Sequence, residues 1–190
     1  MSATAQATTV TDLQRLLNNI NSMRADFTQN VYSEQQKLLH TYTGSVEFKK
    51  PRQLRWQVEQ PDKSLLVTDG KKVWNYDVVL EQVSVQKYVA DSKDVTPLSF
   101  ILDDSDKIEH NFIVESGSAN CFKLTPRQEN SNFMSITACF KNSMLHSLDI
   151  HDHLGQTSTF NFAKVQNNVK ISDTRFIFNP PPGVDVVGEQ

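Results

Sequence analysis

Several groups of side chains in this sequence could carry chemistry, and spacing tests each of them. His151 and His153 lie two residues apart, which in an extended segment puts both imidazoles on one side, as a metal pair would require. A zinc site needs three or four ligands, and no cysteine or third histidine stands at a suitable local spacing. A turn flanking Leu154-Gly155 accounts for the pair more simply. Asp104, Asp106 and Glu115 match acidic positions of a calcium loop, but Ile108 and Glu109 fill places that demand an oxygen ligand and a glycine. No metal is expected.

Lys49, Lys50, Arg52 and Arg55 form the densest basic stretch. They sit at a proline corner in a chain of net charge -3, which lacks the basic face that nucleic acid demands. No nucleic-acid partner is expected. The sequence contains no Gly-x-Ser-x-Gly, Walker A or dinucleotide pattern, and its six glycines leave little backbone to cradle phosphates. Nothing points to an enzyme or to a cofactor.

Cys121 and Cys139 can be tested against strand register. If the segment from Asn120 to Thr125 pairs antiparallel with that from Phe133 to Lys141, turning near Glu129 and Asn130, Phe122 falls opposite Ala138 and Leu124 opposite Ile136. The same register sets Cys121 opposite Cys139, on the more polar face, where cross-strand Cβ atoms are close enough for a bridge. A disulfide is geometrically allowed; two reduced thiols are the alternative.

The elements that would position these groups are mainly β. Thr11-Asp12-Leu13-Gln14 reads as a capping box, and Leu13, Leu16, Leu17 and Ile20 recur at helical spacing, so a helix is expected from Thr11 to Ser22. The period then becomes two, with apolar residues alternating at Phe27, Tyr42, Phe48, Leu54, Trp56, Phe160, Phe162, Phe176 and Phe178. One apolar and one wet face per strand is the antiparallel pattern. Asp69-Gly70 between two such runs predicts a hairpin with a type I′ turn. Thr96-Pro97 supplies an N-cap and a first-turn proline for a short amphipathic helix carrying Leu98, Ile101 and Leu102.

At 190 residues the chain suits one domain, with residues 1–9 expected to be a disordered, polar start. That start lacks the apolar core of a secretory signal, which fits either a cytosolic protein or a mature chain with an added methionine. No run approaches the length of apolar residues needed to span a membrane as a helix.

One stretch is more specific than these features. It reads Lys50-Pro51, Trp56, Pro61 with Ser64, Asp69-Gly70-Lys71, Trp74-Asn75-Tyr76 and Leu80-Glu81-Gln82. Near the start stands Ala25-Asp26-Phe27-Thr28-Gln29, and toward the end Leu154-Gly155-Gln156, Asn167-Asn168 and Phe176-Ile177-Phe178, followed by Pro180-Pro181-Pro182-Gly183-Val184. In this order the motifs resemble the LolA family of periplasmic outer-membrane lipoprotein carriers over nearly the whole chain.

The resemblance implies an α+β, mainly β fold: an incomplete antiparallel β-barrel whose concave apolar side is covered by the amino-terminal helix and short lid helices. It implies a non-enzymatic, monomeric carrier that takes lipoproteins by their acyl chains from the inner-membrane transporter LolCDE. The cargo would pass to the outer-membrane receptor LolB. The resemblance also favours a mature periplasmic chain. Lys50 matches the family's lid latch, usually Arg, and Leu54 stands where the family often has Phe. Leu98, Phe100, Ile101 and Leu102 correspond to the lid, and the aromatic positions above to the acyl-chain cavity and mouth. A LolB-like receptor, a module binding other lipids or another envelope protein, and an unrecognised hydrolase are the alternatives; the last would need a polar constellation inside the concavity.

Overall fold

The computed structural model describes residues 3–88, 98–103, 105–118, 120–128 and 131–188. Helix α1 (Ala3–Asn18) is followed by β1 (Ser22–Tyr32), β2 (Leu38–Lys49), β3 (Gln53–Gln60), β4 (Ser64–Asp69), β5 (Lys72–Asp77) and β6 (Gln82–Lys87). Single-turn helices α2 (Ser99–Leu102) and α3 (Ile108–Asn111) precede β7 (Phe112–Ser116), β8 (Cys121–Pro126), β9 (Ser135–Lys141), β10 (Met144–His151) and β11 (Thr157–Asn167). A 3-10 turn at Asp173–Phe176 and strand β12 (Asp185–Gly188) follow.

The strands form one sheet in the order β12-β6-β5-β4-β3-β2-β1-β11-β10-β9-β8-β7. Two meanders account for it. β1 to β6 run outward one after another, the chain crosses over, and β7 to β11 return so that β11 pairs with the free side of β1. β12 joins β6 in parallel, an exception to the expected antiparallel pattern. The edge strands β12 and β7 do not meet, so the sheet is open.

Residues opposite one another share a face. Phe27 stands opposite Gly44 and Phe162, Gln29 opposite Phe160, and Val46 opposite Trp56. Phe27, Val46, Trp56, Phe160 and Phe162 belong to one buried apolar cluster that also draws Phe122 and Leu124 from β8 and Leu145 and Leu148 from β10. Leu13, Leu17 and Ile20 fill the same cluster from α1 and the turn after it, each fully buried. The helix packs on the edge strand β7 and is bonded at its other end to the β2–β3 corner, where Lys50 Nζ donates to Leu17 O at 2.8 Å. With β1, β11, β10, β9 and β8 lying between those points, the sheet must curl around the helix. The apolar face is the concave one.

Two local expectations are corrected. α1 begins at Ala3, so Thr11 lies inside the helix and residues expected to be disordered are helical; alanines at positions 3, 5 and 7, the best helix formers, extend it upstream of the capping sequence. It also ends at Asn18 rather than Ser22. In the β4–β5 hairpin Thr68 pairs with Val73, and Gly70 has φ +89° without a positive φ at Lys71. A type I′ turn needs a positive φ at both central residues, and Asp69 has none; its Oδ1 instead accepts the N–H groups of Lys71 and Lys72, both at 2.8 Å. Thr96, Pro97, Asp104, Glu129 and Asn130 lie outside the described residues.

Phe176 and Phe178 are also corrected. The alternation places them on the apolar face of a closing strand, but Phe176 ends the 3-10 turn and Phe178 lies in irregular chain. The turn contacts β3 and β4, and Phe178 meets Tyr76, which alternates with Asn75 and so faces away from Trp56 and Leu66. Phe176 is fully buried yet outside the main cluster. Both rings therefore cover the convex side, where Val67 and Val83 are also fully buried. Three residues of alternation cannot distinguish a strand from a turn capped by Ser172, whose Oγ accepts from Thr174 N.

Candidate apolar binding site

Three aromatic rings form the floor of the concave side. Phe27 and Trp56 have centroids 4.3 Å apart, and Trp56 meets Phe160 edge-on at 5.5 Å. Gly44 makes this possible: a Cβ there would lie 2.8 Å from Phe27 Cζ and 2.0 Å from the Gln57 carbonyl oxygen. Phe48, Leu54 and Phe162 extend the floor, all buried. Tyr42 sits further out, half-buried, with its ring 6.0 Å from that of His40.

The cover comes from α1 and α2. Leu98, Ile101 and Leu102 are fully buried and Phe100 nearly so, all in the same cluster as the floor. β8 to β10 also contribute to this side, through Phe122/Leu124 and Ile136/Ala138, which alternate as visibly as the assigned aromatics. Arg52, which no local spacing marks, contacts the cover as well. Arg52 Nε donates to Asp103 Oδ1 at 2.7 Å and its backbone N–H to Leu102 O at 3.3 Å.

Among the described residues Glu47 is the sole buried ionisable side chain, and it faces the convex side. No polar constellation that could attack an ester or amide stands within the described concavity. Outside it, His151 Nδ1 pairs with Thr157 Oγ1 and His153 Nε2 with Ser131 O. No group of three or more metal-binding side chains occurs among the described residues.

Glu47 fastens the convex side. Its two carboxylate oxygens accept from Arg24 Nε and Arg175 Nε, each at 2.7 Å, tying the carboxyl-terminal crossing to β1 and β2. Burial pushes the carboxyl up, but the hydrogen bonds and charges of Arg175 and Arg24 together outweigh it and hold Glu47 below its ordinary 4.5. The stabilisation is therefore present above 4.5 and lost as pH falls through the folded value. Melting temperatures followed from about pH 7 to about pH 3 should fall less steeply for Glu47→Gln than for the unaltered protein in the acid range. Parallel curves would remove this linkage.

Cys121 and Cys139 face each other across β8 and β9 and are disulfide-bonded, with Phe122 opposite Ala138 and Leu124 opposite Ile136. The bridge lies on the face opposite these buried neighbours.

The architecture is an open sheet curled around a helix, with the apolar cluster on its concave side. The sequence matches the family described as outer membrane lipoprotein carrier protein LolA over residues 18–179. It is 33% identical to an outer-membrane lipoprotein carrier protein of Nitrosospira multiformis, over 98% of this chain and 92% of that one. A Legionella pneumophila (strain Lens) protein of the same name is 35% identical, over 92% of this chain and 87% of its own. The chain belongs to the LolA family and is a lipoprotein carrier, not an enzyme. Among solved structures, a LolA superfamily protein from Nitrosomonas europaea aligns with TM-score 0.52 at 10% identity over 90% of this chain and 98% of that one. An uncharacterized conserved protein from Thermus thermophilus aligns with TM-score 0.59 at 14% identity, over 95% of this chain and 98% of its own. Both likenesses concern the fold alone.

Proposed function

We propose that the concave side holds the acyl chains of outer-membrane lipoproteins during their passage through the periplasm, after release by the transporter LolCDE and before delivery to the receptor LolB. The observation that carries this reading is the shared apolar cluster of floor and cover. Leu98, Ile101 and Leu102 occupy the same buried space as Phe27, Trp56 and Phe160, so the cover's own side chains stand where cargo would lie.

The energetics suit a carrier. Each buried methylene contributes about 0.8 kcal/mol, so a chain of roughly a dozen contributes on the order of 10 kcal/mol. Displacing the cover's leucines and phenylalanine offsets part of that gain. Net affinity is thereby moderated, and a carrier has to release its load. Lys50 is proposed as a latch in this exchange; its bond to Leu17 O anchors α1 at the corner that borders the cover.

The test is direct. The protein should release an acylated lipoprotein from inner-membrane vesicles containing a matched transporter and pass it to the receptor. Folded protein that leaves the lipoprotein in those vesicles would defeat the proposal.

A further inference from the structure

The β2–β3 corner contains an unusual choice of residue. Arg52 has φ +62°, a left-handed conformation that glycine or asparagine adopts at less cost, yet the position carries a long charged side chain. Strain kept at such a place directs attention to what the side chain does. The Arg52 side chain reaches α2 through the 2.7 Å bond to Asp103, whose side chain is only 15% exposed, while its guanidinium lies 5.6 Å from the centre of the Tyr88 ring. Tyr88 directly follows β6, and Asp103 directly follows α2. The sheet thus supplies both the arginine and the ring that orients it. Gly70 leaves room for the stem, since a Cβ at that position would lie 3.3 Å from Arg52 Cβ.

We infer that Arg52 is the residue that positions α2 over the concave side, and that its pair with Asp103 sets how readily that side exchanges an apolar ligand. The inference rests on the carrier reading and deepens it. Arg suits the task because its planar fork can bond a carboxylate along one edge while its face rests on an aromatic ring. Weakening the pair raises the fraction of molecules in which α2 is lifted, and a ligand that needs that state then binds more tightly in proportion.

Arg52→Gln and Asp103→Asn separate this role from simple support, because both leave the backbone N–H bond to Leu102 O available. Binding of the uncharged fluorophore N-phenyl-1-naphthylamine should strengthen by about two- to fivefold in each variant, the range for a partly exposed ion pair. Amide exchange at 98–102 should accelerate by a similar factor, without matching acceleration in β1 and β2. The double variant should do no more than either single one, because both changes break one interaction. The reversed pair, Arg52→Asp with Asp103→Arg, should recover part of the closure, and Lys49→Gln should behave as the unaltered protein. Unchanged probe affinity and unchanged exchange at 98–102 in both single variants would overturn the inference. Equal acceleration throughout the sheet would also overturn it, since the pair would then be merely structural. Exchange does not depend on lipoprotein transfer, so failure of the carrier assay remains distinguishable from failure of this inference.

Discussion

Phe27→Ala is expected to lower stability by about 3–5 kcal/mol, the range for deleting a buried phenylalanine ring. In a domain of this size that corresponds to a melting temperature roughly 6–20 °C lower. The ring is 3% exposed and forms a triangle with Trp56 and Phe160, with Gly44 opposite it on β2. Its neighbours cannot refill the space easily: Gly44 offers no side chain, and the Gln57 carbonyl lies only 2.0 Å from where a Cβ there would stand. A persistent apolar cavity should therefore remain on the concave floor. The variant should melt earlier and bind a small uncharged apolar probe more tightly while keeping its near-ultraviolet circular dichroism, which a general loosening of the fold would lose. A loss below about 1 kcal/mol would show that Phe27 is not packed as described.

Removing the disulfide is the second large effect expected. The bond joins residues 18 apart, and closing such a loop restricts the unfolded chain enough to contribute about 3 kcal/mol. A Cys121→Ser, Cys139→Ser variant should unfold at lower urea concentration with an m-value at or above that of the unaltered protein, because the freed unfolded chain exposes more surface, as measured by far-ultraviolet circular dichroism. Its ligand binding should persist, because the bridge lies on the face away from the apolar cluster. Alkylation of the unreduced, unfolded protein should label neither cysteine, and two labels would contradict the bond.

The cysteine register illustrates what a sequence can specify. Alternation at Phe122, Leu124, Ile136 and Ala138 marks which side chains turn inward, and one antiparallel register satisfies all four; placing Cys121 against Cys139 follows from it. The Phe27, Phe48 and Trp56 strands were legible for the same reason, since a period of two over many residues has one structural meaning. The collinear motifs likewise identified the family. The start of α1 was less legible, because a capping sequence inside a run of good helix formers does not compel the helix to begin there.

Faces and partners were fixed by packing between segments distant in the chain. Phe176 and Phe160 look alike in sequence, each apolar in an alternating run, yet one lies under the convex crossing and the other on the concave floor. Alternation reports that a side chain is to be buried; what buries it depends on segments far away in the chain. Glu47 is held by Arg175, 128 residues on, and Arg52 by Asp103, 51 residues on, pairings that no local spacing encodes. Alternation and the collinear motifs together specify an open-faced β carrier with one apolar side. Which basic residue of the Lys50-Pro51-Arg52 corner reaches α1 and which reaches α2 was settled by the turn's three-dimensional path: the left-handed backbone at Arg52 directs its side chain and N–H to α2, whereas Lys50 reaches the Leu17 carbonyl at the end of α1.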